Sequence, residues 1–323
     1  MISKIRNKTI LIFLATLITL VALACDTNTS DTSLDGACRI MSHAKGETCI
    51  PIGPQRLVTI SEFTLYHALF LGVVPIGNAF DNWRDTIPTY MLDQKNTIER
   101  IEKVGQQSQP NLEKILRLKP DLIVSWGDTQ TAYPLLSQIA PTVIDSIDSS
   151  GNNGWREHFN FVAEALGKES ATQQAWSNYY RRVEDLKSAL GKQYENETIS
   201  VLTVAHDFEN HATTRNSFAG SILDDIGLRL AKAQNVDGSY GWVDFSTEEF
   251  TDFFDGDILF VTVTGETDRK KFEELKSNPL WEKLKAVQKD NVYLVDSLTW
   301  QGGNLFAAYA VIDDLFRYLV NTP

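Results

Sequence analysis

Only five histidines and three cysteines occur in this 323-residue chain. With so few imidazoles, a metal centre has little to draw on. "HDFENH" sets His206 and His211 five positions apart around Asp207 and Glu209, whereas helical metal sites favour spacings of about three or four. It reads as a solvated loop. Catalytic signatures are missing as well: there is no G-x-S-x-G elbow, no Walker loop, no G-x-G-x-x-G fingerprint and no evident nucleophile–base pair. Basic charge is in short supply, because 30 Lys and Arg face 42 Asp and Glu, a net charge of −12. Phosphate binding needs a basic surface, so nucleic acid is excluded as a partner. Such an acidic surface keeps a protein soluble and suits a basic partner surface.

Long apolar runs are confined to the amino terminus. Lys4, Arg6 and Lys8 precede "TILIFLATLITLVALA", which stops at Ala24. The run is short for a membrane span and has the layout of an export signal over residues 1–24. Those residues carry three basic and no acidic side chains, so the remainder has 27 basic against 42 acidic, a net charge of −15. Two processing readings meet there. "ALA" at 22–24 suits ordinary signal cleavage, while Cys25 directly after it resembles the acylated cysteine of a bacterial lipobox. If Cys25 carries lipid, Cys38 and Cys49 are free to pair in an oxidising compartment. They flank "RIMSHAKGET", which reads as a hairpin turning at Gly46. The alternative is three unpaired thiols. Residues 25–36 are polar and read as a tether.

Beyond the tether, strands and helices alternate, which predicts parallel α/β organisation. In the first half, strands are expected at 56–60, 73–77, 121–125 and 141–144. Helices are expected over 62–72, near 112–118 and near 130–139, with a long loop over 78–97. No strand signal occurs over 153–192. Apolar residues at Ala175, Trp176, Tyr179, Val183, Leu186 and Leu190 instead predict one helix of about 20 residues. Strands resume at 199–205, 257–263 and 291–296, with helices near 218–226, 247–254, 268–275 and 305–319. This divides the chain into an amino-terminal lobe (37–152), an interlobe helical segment (153–192) and a carboxyl-terminal lobe (193–323).

The lobes echo each other. "NLEKILRLKPDLIVS" resembles "STEEFTDFFDGDILFV": a capping residue (Asn111, Ser246), a glutamate two positions on (Glu113, Glu248), an amphipathic turn, then an aspartate opening a strand (Asp121, Asp257). A first-turn carboxylate complements the helix dipole by about 0.3–1 kcal/mol. In "STEE", however, Ser246 and Glu249 have the spacing of a capping box. Glu248 is thereby left without a capping role and pairs, by the echo, with Glu113.

Trp176 and Trp281 fall in helical patterns and are expected in the core. Trp126 and Trp300 lie shortly beyond strands, and Trp83 and Trp242 lie in loops. Ligands of open α/β sheets bind beyond the carboxyl ends of strands, where aromatics supply rigid contact area. These four, with Arg84 and Arg215 as cations able to grip a carboxylate, are the candidate ligand-binding residues. Arg56, just ahead of a strand, reads as structural.

Taken with "GETCIPIGPQRLVTI", "LGVVPIG", "VGQQSQPNLEKILRLKPDLIVSW", "SFAGSILDDIGL" and "NPLWEKLKAVQKDNVYLVDSLTW", in that order, the chain resembles the substrate-binding lipoproteins of ABC importers for ferric siderophores, haem and cobalamin. That resemblance spans Cys38 to Leu319. It implies two Rossmann-like α/β lobes joined by one long backbone helix, with a ligand cleft between them. It also implies one exposed glutamate per lobe, Glu113 and Glu248, docking on arginines of the importer's membrane subunits. The "GETCIP" segment and its cysteine pair look closest to iron–siderophore binders, so the expected ligand is a ferric siderophore, with no intrinsic cofactor. Haem or cobalamin is the alternative. Gln107 stands where hydroxamate-binding relatives can place an arginine. The expected protein is an exported, lipid-anchored monomer, periplasmic or on the outer face of the cytoplasmic membrane. An exported α/β enzyme is the reading of another class.

Overall fold

The computed structural model describes residues 38–80, 87–127, 132–145, 154–204 and 211–320. A hairpin comes first. Strands β1 (Cys38–His43) and β2 (Gly46–Pro51) turn at Gly46, whose φ of 114° suits a residue without Cβ. Cys38 and Cys49 are both disulfide-bonded.

Two sheets follow. The first holds β3 (Leu57–Ile60), β4 (Gly77–Phe80), β5 (Glu102–Gln106), β6 (Leu122–Ser125) and β7 (Thr142–Ile144), parallel throughout, in the order β5-β4-β3-β6-β7. The second comprises β8 (Thr198–Thr203), β9 (His211–Thr213), β10 (Arg229–Leu230), β11 (Trp242–Asp244), β12 (Ile258–Val263) and β13 (Val292–Asp296). Its order, β11-β9-β8-β12-β13, repeats that of the first, with β10 added beside β8. Every residue of β3, β6 and β12 is buried, which is why these segments are mostly apolar, with one small hydroxyl residue each, rather than alternating apolar and charged.

The second sheet departs from the expected parallel plan at one edge, where β9 is antiparallel to both β8 and β11. Residues 204–210 between β8 and β9 are too few for the crossover of a dozen or more residues that parallel pairing needs. In the first half, the strand expected at 73–77 begins only at Gly77. Pro75 lacks a ladder donor, and Gly77 suits the position because a Cβ there would lie 2.6 Å from the Leu118 side chain. Strand β5 and the helical turns Thr89–Gln94 and Lys95–Ile98 were not foreseen.

Helix starts are set by side chains. Ser61, Asn111, Ser217 and Asn304 each accept the N–H three residues on, opening helices Glu62–Phe70, Leu112–Leu118, Phe218–Ile226 and Leu305–Leu315. Each cap contributes about 1 kcal/mol. Helix Leu112–Leu118 ends on Lys119 in the left-handed region, and Arg56 donates to the free carbonyls of Leu118 and Lys119.

The 22-residue helix Glu169–Leu190 matches its periodicity and buries Ala175, Tyr179, Val183, Leu186 and Leu190. One apolar cluster runs from Leu57 and Val124 of the first sheet, through Phe159 and Tyr179, to Ile199 and Phe260 of the second. The helical segment is therefore core to both sheets. Phe70 meets Phe306 at 4.9 Å, packing the last long helix back on the first.

Asp121 and Asp257 do the same work in the two sheets. Asp121 accepts the N–H groups of Gln55 (2.8 Å) and Arg56 (2.9 Å) ahead of β3, and Asp257 accepts that of Thr198 (3.0 Å) at the start of β8. Burial pushes the Asp257 carboxyl up, but the Lys289 ammonium at 2.9 Å and the Thr198 donors outweigh it and hold it below its ordinary value. Its stabilisation is therefore present at neutral pH and is lost as pH falls through the folded-state value. Asp257→Asn should destabilise the fold by about 1–3 kcal/mol at neutral pH. In urea titrations the difference from the parent should shrink towards about pH 3.

Candidate ligand-binding site

The carboxyl ends of the two sheets meet. Phe63, just past β3, lies against Gly303, beyond β13, where a Cβ would come within 2.7 Å of its ring. Asn304 Nδ2 donates to the Tyr90 hydroxyl at 3.2 Å across the same junction. This is the side on which open α/β sheets bind ligands.

On the first-sheet side, Trp126 follows β6 and is half-buried. The Phe63 ring meets it edge-on at 4.8 Å and 87°, and His158 stacks on it at 4.8 Å and 12°. His158 is wholly buried, with Nδ1 at 2.6 Å from Asp145 Oδ2 and Nε2 at 2.9 Å from Thr64 Oγ1. Thr64 Oγ1 in turn lies 2.8 Å from Ser61 Oγ. His67 stands edge-on to His158 at 5.2 Å. Burial, and then His158, hold its pKa well below the usual imidazole range, so His67 is neutral. Neither of its ring nitrogens has a hydrogen-bond partner among the described residues. Gln107 is buried, and Trp83 and Arg84 lie outside the described residues.

On the second-sheet side, a concavity of about 500 Å³ is lined by His211, Asp237, Tyr240, Trp242 and Asp244, among others. Because β9 runs against β8, His211 at its start and Asp244 at the end of β11 share the carboxyl end of β8. His211 Nδ1 and Asp244 Oδ1 are 2.6 Å apart. The loop beneath is braced by Asn216, whose side chain accepts from Gly238 N and donates to Gly238 O, both at 2.9 Å. Gly238 is packed so closely that a Cβ would fall 2.1 Å from the Trp242 carbonyl oxygen. Arg215 enters the site only indirectly. Its guanidinium grips both Asp237 oxygens at 3.0 Å, so its charge is already countered.

Trp300 corrects an expectation. It is 1% exposed, packs on Phe260 at 4.6 Å and donates to Asp314 Oδ2 at 3.0 Å. Strand β13 is followed at once by helix Ser297–Trp300, which turns the indole into the core. Trp281 is buried as expected, whereas Trp176 is half-buried and donates to Asn160.

Glu113 and Glu248 lie outside both walls. The Glu113 side chain is 76% exposed and pairs with Arg117 at 2.7 Å. Glu248 is exposed on the turn Thr247–Glu249, which with the short helix Phe250–Phe253 replaces the single helix expected there. Beside it, Glu249 Oε2 accepts from Ser246 N at 2.9 Å and Oγ at 2.8 Å, one half of a capping box. Cys25 lies outside the described residues. Sequence reading missed Asp145, His158 and Thr64, which are far apart in the chain. The available signals were an aspartate directly after a strand and a histidine within the apolar face of "GWREHFNFV".

Two sheets of like strand order, joined through a shared helical core and meeting at aromatic carboxyl ends, define a two-lobed ligand-binding protein. The chain belongs to the periplasmic binding protein family, which matches residues 61–299. It is 30% identical to the probable siderophore-binding lipoprotein YfiY of Bacillus subtilis, over 97% of this chain and 98% of that one. Identity to the Fe(3+)-citrate-binding protein YfmC of the same organism is 31%, over 81% and 79%. Among solved structures, Staphylococcus aureus SirA complexed with staphyloferrin B is similar at a TM-score of 0.72 and 27% identity, covering 87% of this chain and 98% of SirA. The family and these relatives are binding proteins. No helix among the described residues is long and apolar enough to cross a membrane.

The two tryptophan environments predict different costs. Trp300→Ala should destabilise the protein by about 3–5 kcal/mol in urea unfolding, as a large core truncation does. Half-buried Trp242→Ala should cost less than about 2 kcal/mol. Equal losses would contradict the placement of one in the core and the other on a wall.

Proposed function

We propose that this protein captures a ferric siderophore outside the cytoplasmic membrane and delivers it to a membrane ABC importer. The observation that carries the reading is aromatic lining on both sheets, Trp126 with Phe63 past β6 and β3, and Trp242 with Tyr240 in the concavity that His211 and Asp244 share at the carboxyl end of β8. A siderophore brings its own hard oxygen donors, which saturate the iron. The protein then supplies contact area and a few polar groups rather than metal ligands. The printed roles of YfiY, YfmC and SirA support the same reading. With a net charge of −12 on the whole chain, long-range attraction of an anionic chelate is unfavourable, so capture depends on local contacts. Arg84 is the local cation in this reading, since Arg215 is held by Asp237.

Tryptophan quenching by ferric citrate, ferric staphyloferrin B and other ferric siderophores, with haem and cobalamin alongside, tests the ligand class. A dissociation constant of about 1 μM or tighter is expected for at least one ferric siderophore. Comparable binding of haem or cobalamin alone would overturn the iron reading.

The same proposal has Glu113 and Glu248 dock on basic sites of the importer, and lipid on Cys25 hold the monomer at the membrane. In cells, Glu113→Ala with Glu248→Ala should leave chelate affinity unchanged and abolish uptake. Cys25→Ser should move the protein from the membrane to the soluble fraction. Weakened chelate binding by the purified double variant would count against docking, and continued membrane attachment of Cys25→Ser would count against the anchor.

A further inference from the structure

We infer that Asp145, His158 and Thr64 are positioning residues that lock the plane of the Trp126 indole before any ligand arrives. The inference rests on the reading of Trp126 as a wall of the ligand site. A tryptophan just past a strand end has two side-chain torsions to settle, and its neighbours decide what it costs to order them. Here the neighbour is another flat ring, at 4.8 Å and 12°. An imidazole with free nitrogens could pivot, but this one is held at both ends. Asp145 Oδ2 takes Nδ1 at 2.6 Å, and Thr64 Oγ1 meets Nε2 at 2.9 Å.

Those two anchors come from different elements. Asp145 directly follows β7, and Thr64 sits in the first turn of helix Glu62–Phe70, its N–H bonded to the capping Ser61 Oγ at 3.0 Å. The orientation of one indole after β6 is thereby tied, through a ring on helix Gly154–Leu166, to the ends of β3 and β7. Phe161 lies nearly parallel to the imidazole at 6.4 Å and 16°, and neutral His67 closes its edge. A leucine or phenylalanine could fill the space under an indole without burying a carboxylate and an imidazole. Buried polar groups are expensive unless fully satisfied, and a satisfied network instead fixes geometry. The rigid backing is what this arrangement supplies and an apolar filler would not.

A wall ordered in advance avoids the loss of side-chain freedom on binding, equivalent to about two- to tenfold in affinity. Thr64→Val removes one anchor with little change in volume, and Asp145→Asn weakens the other while keeping its shape. Both can be read without ligand in protein carrying 5-fluorotryptophan, with the Trp126 fluorine resonance assigned by Trp126→Phe. Of the seven tryptophans, only Trp126 should shift and broaden in the two variants. Loss of general stability alone would not single out that resonance. Titration with ferric staphyloferrin B and ferric citrate should then show affinity about two- to tenfold weaker for whichever chelate the parent binds. A Trp126 resonance unmoved in both variants overturns the lock whatever the titrations give. A Trp126→Ala protein that binds the chelate as tightly as the parent overturns the wall reading, and with it the lock's part in binding.

Discussion

The plan of the molecule depends on pinning two pairs of parallel strands at their amino ends. Asp121 takes the backbone donors that precede β3, and Asp257 takes the donor that opens β8. In return each aspartate's own N–H bonds the neighbouring carbonyl, Asp121 to Arg56 and Asp257 to Thr198. With β3–β6 and β8–β12 in register from that end, the carboxyl ends are left to diverge into loops. Parallel pairing also forces helical crossovers, which cover both faces and keep the strands apolar. A ligand site at the open ends follows from this geometry, and the side chains placed there decide what it can hold.

Several cations described here are engaged within the fold. Arg56 caps a helix end, Arg156 pairs with Asp225, and Arg215 grips Asp237. Within the proposed function, this leaves the two walls of an acidic chain to work mainly through aromatic area. Such contact is non-directional in strength but strict in shape. The rigidity of the walls therefore matters more than their charge. In that reading, buried Asp145–His158 on one side and the Asn216-braced loop on the other would provide it.

Periodicity and capping made much of the fold legible. Helix Phe218–Ile226 has the bounds expected from its apolar spacing, and the long helix runs two residues past its estimated length of about 20. The echo between the halves anticipated the matching roles of Asp121 and Asp257. What stayed hidden was set by tertiary contact. The antiparallel course of β9 follows from a short link, and the need for glycine at the start of β4 from the close approach of Leu118. Position after a strand left Trp126 half-buried beyond β6 but misjudged Trp300, which is in the core, because nothing in local sequence says which way a short helix turns its last indole. The Asp145–His158–Thr64 network joins residues with no common motif, so only the folded chain brings them together.

The proposed docking pair illustrates how weak surface interactions can be useful. Glu113 has a partner in Arg117, but both side chains are largely exposed, at 76% and 70%. An exposed i,i+4 pair of this kind is worth a few tenths of a kcal/mol and is screened by salt. Exchanging Arg117 for a basic group on another protein therefore costs little, whereas breaking the buried Asp145–His158 hydrogen bond would leave a buried polar group unsatisfied. Glu248 reaches the same condition differently, since Glu249 beside it takes over the bonds to Ser246. Within the proposal, each lobe thus keeps one carboxylate that the fold can release to a partner without disturbing its ligand wall.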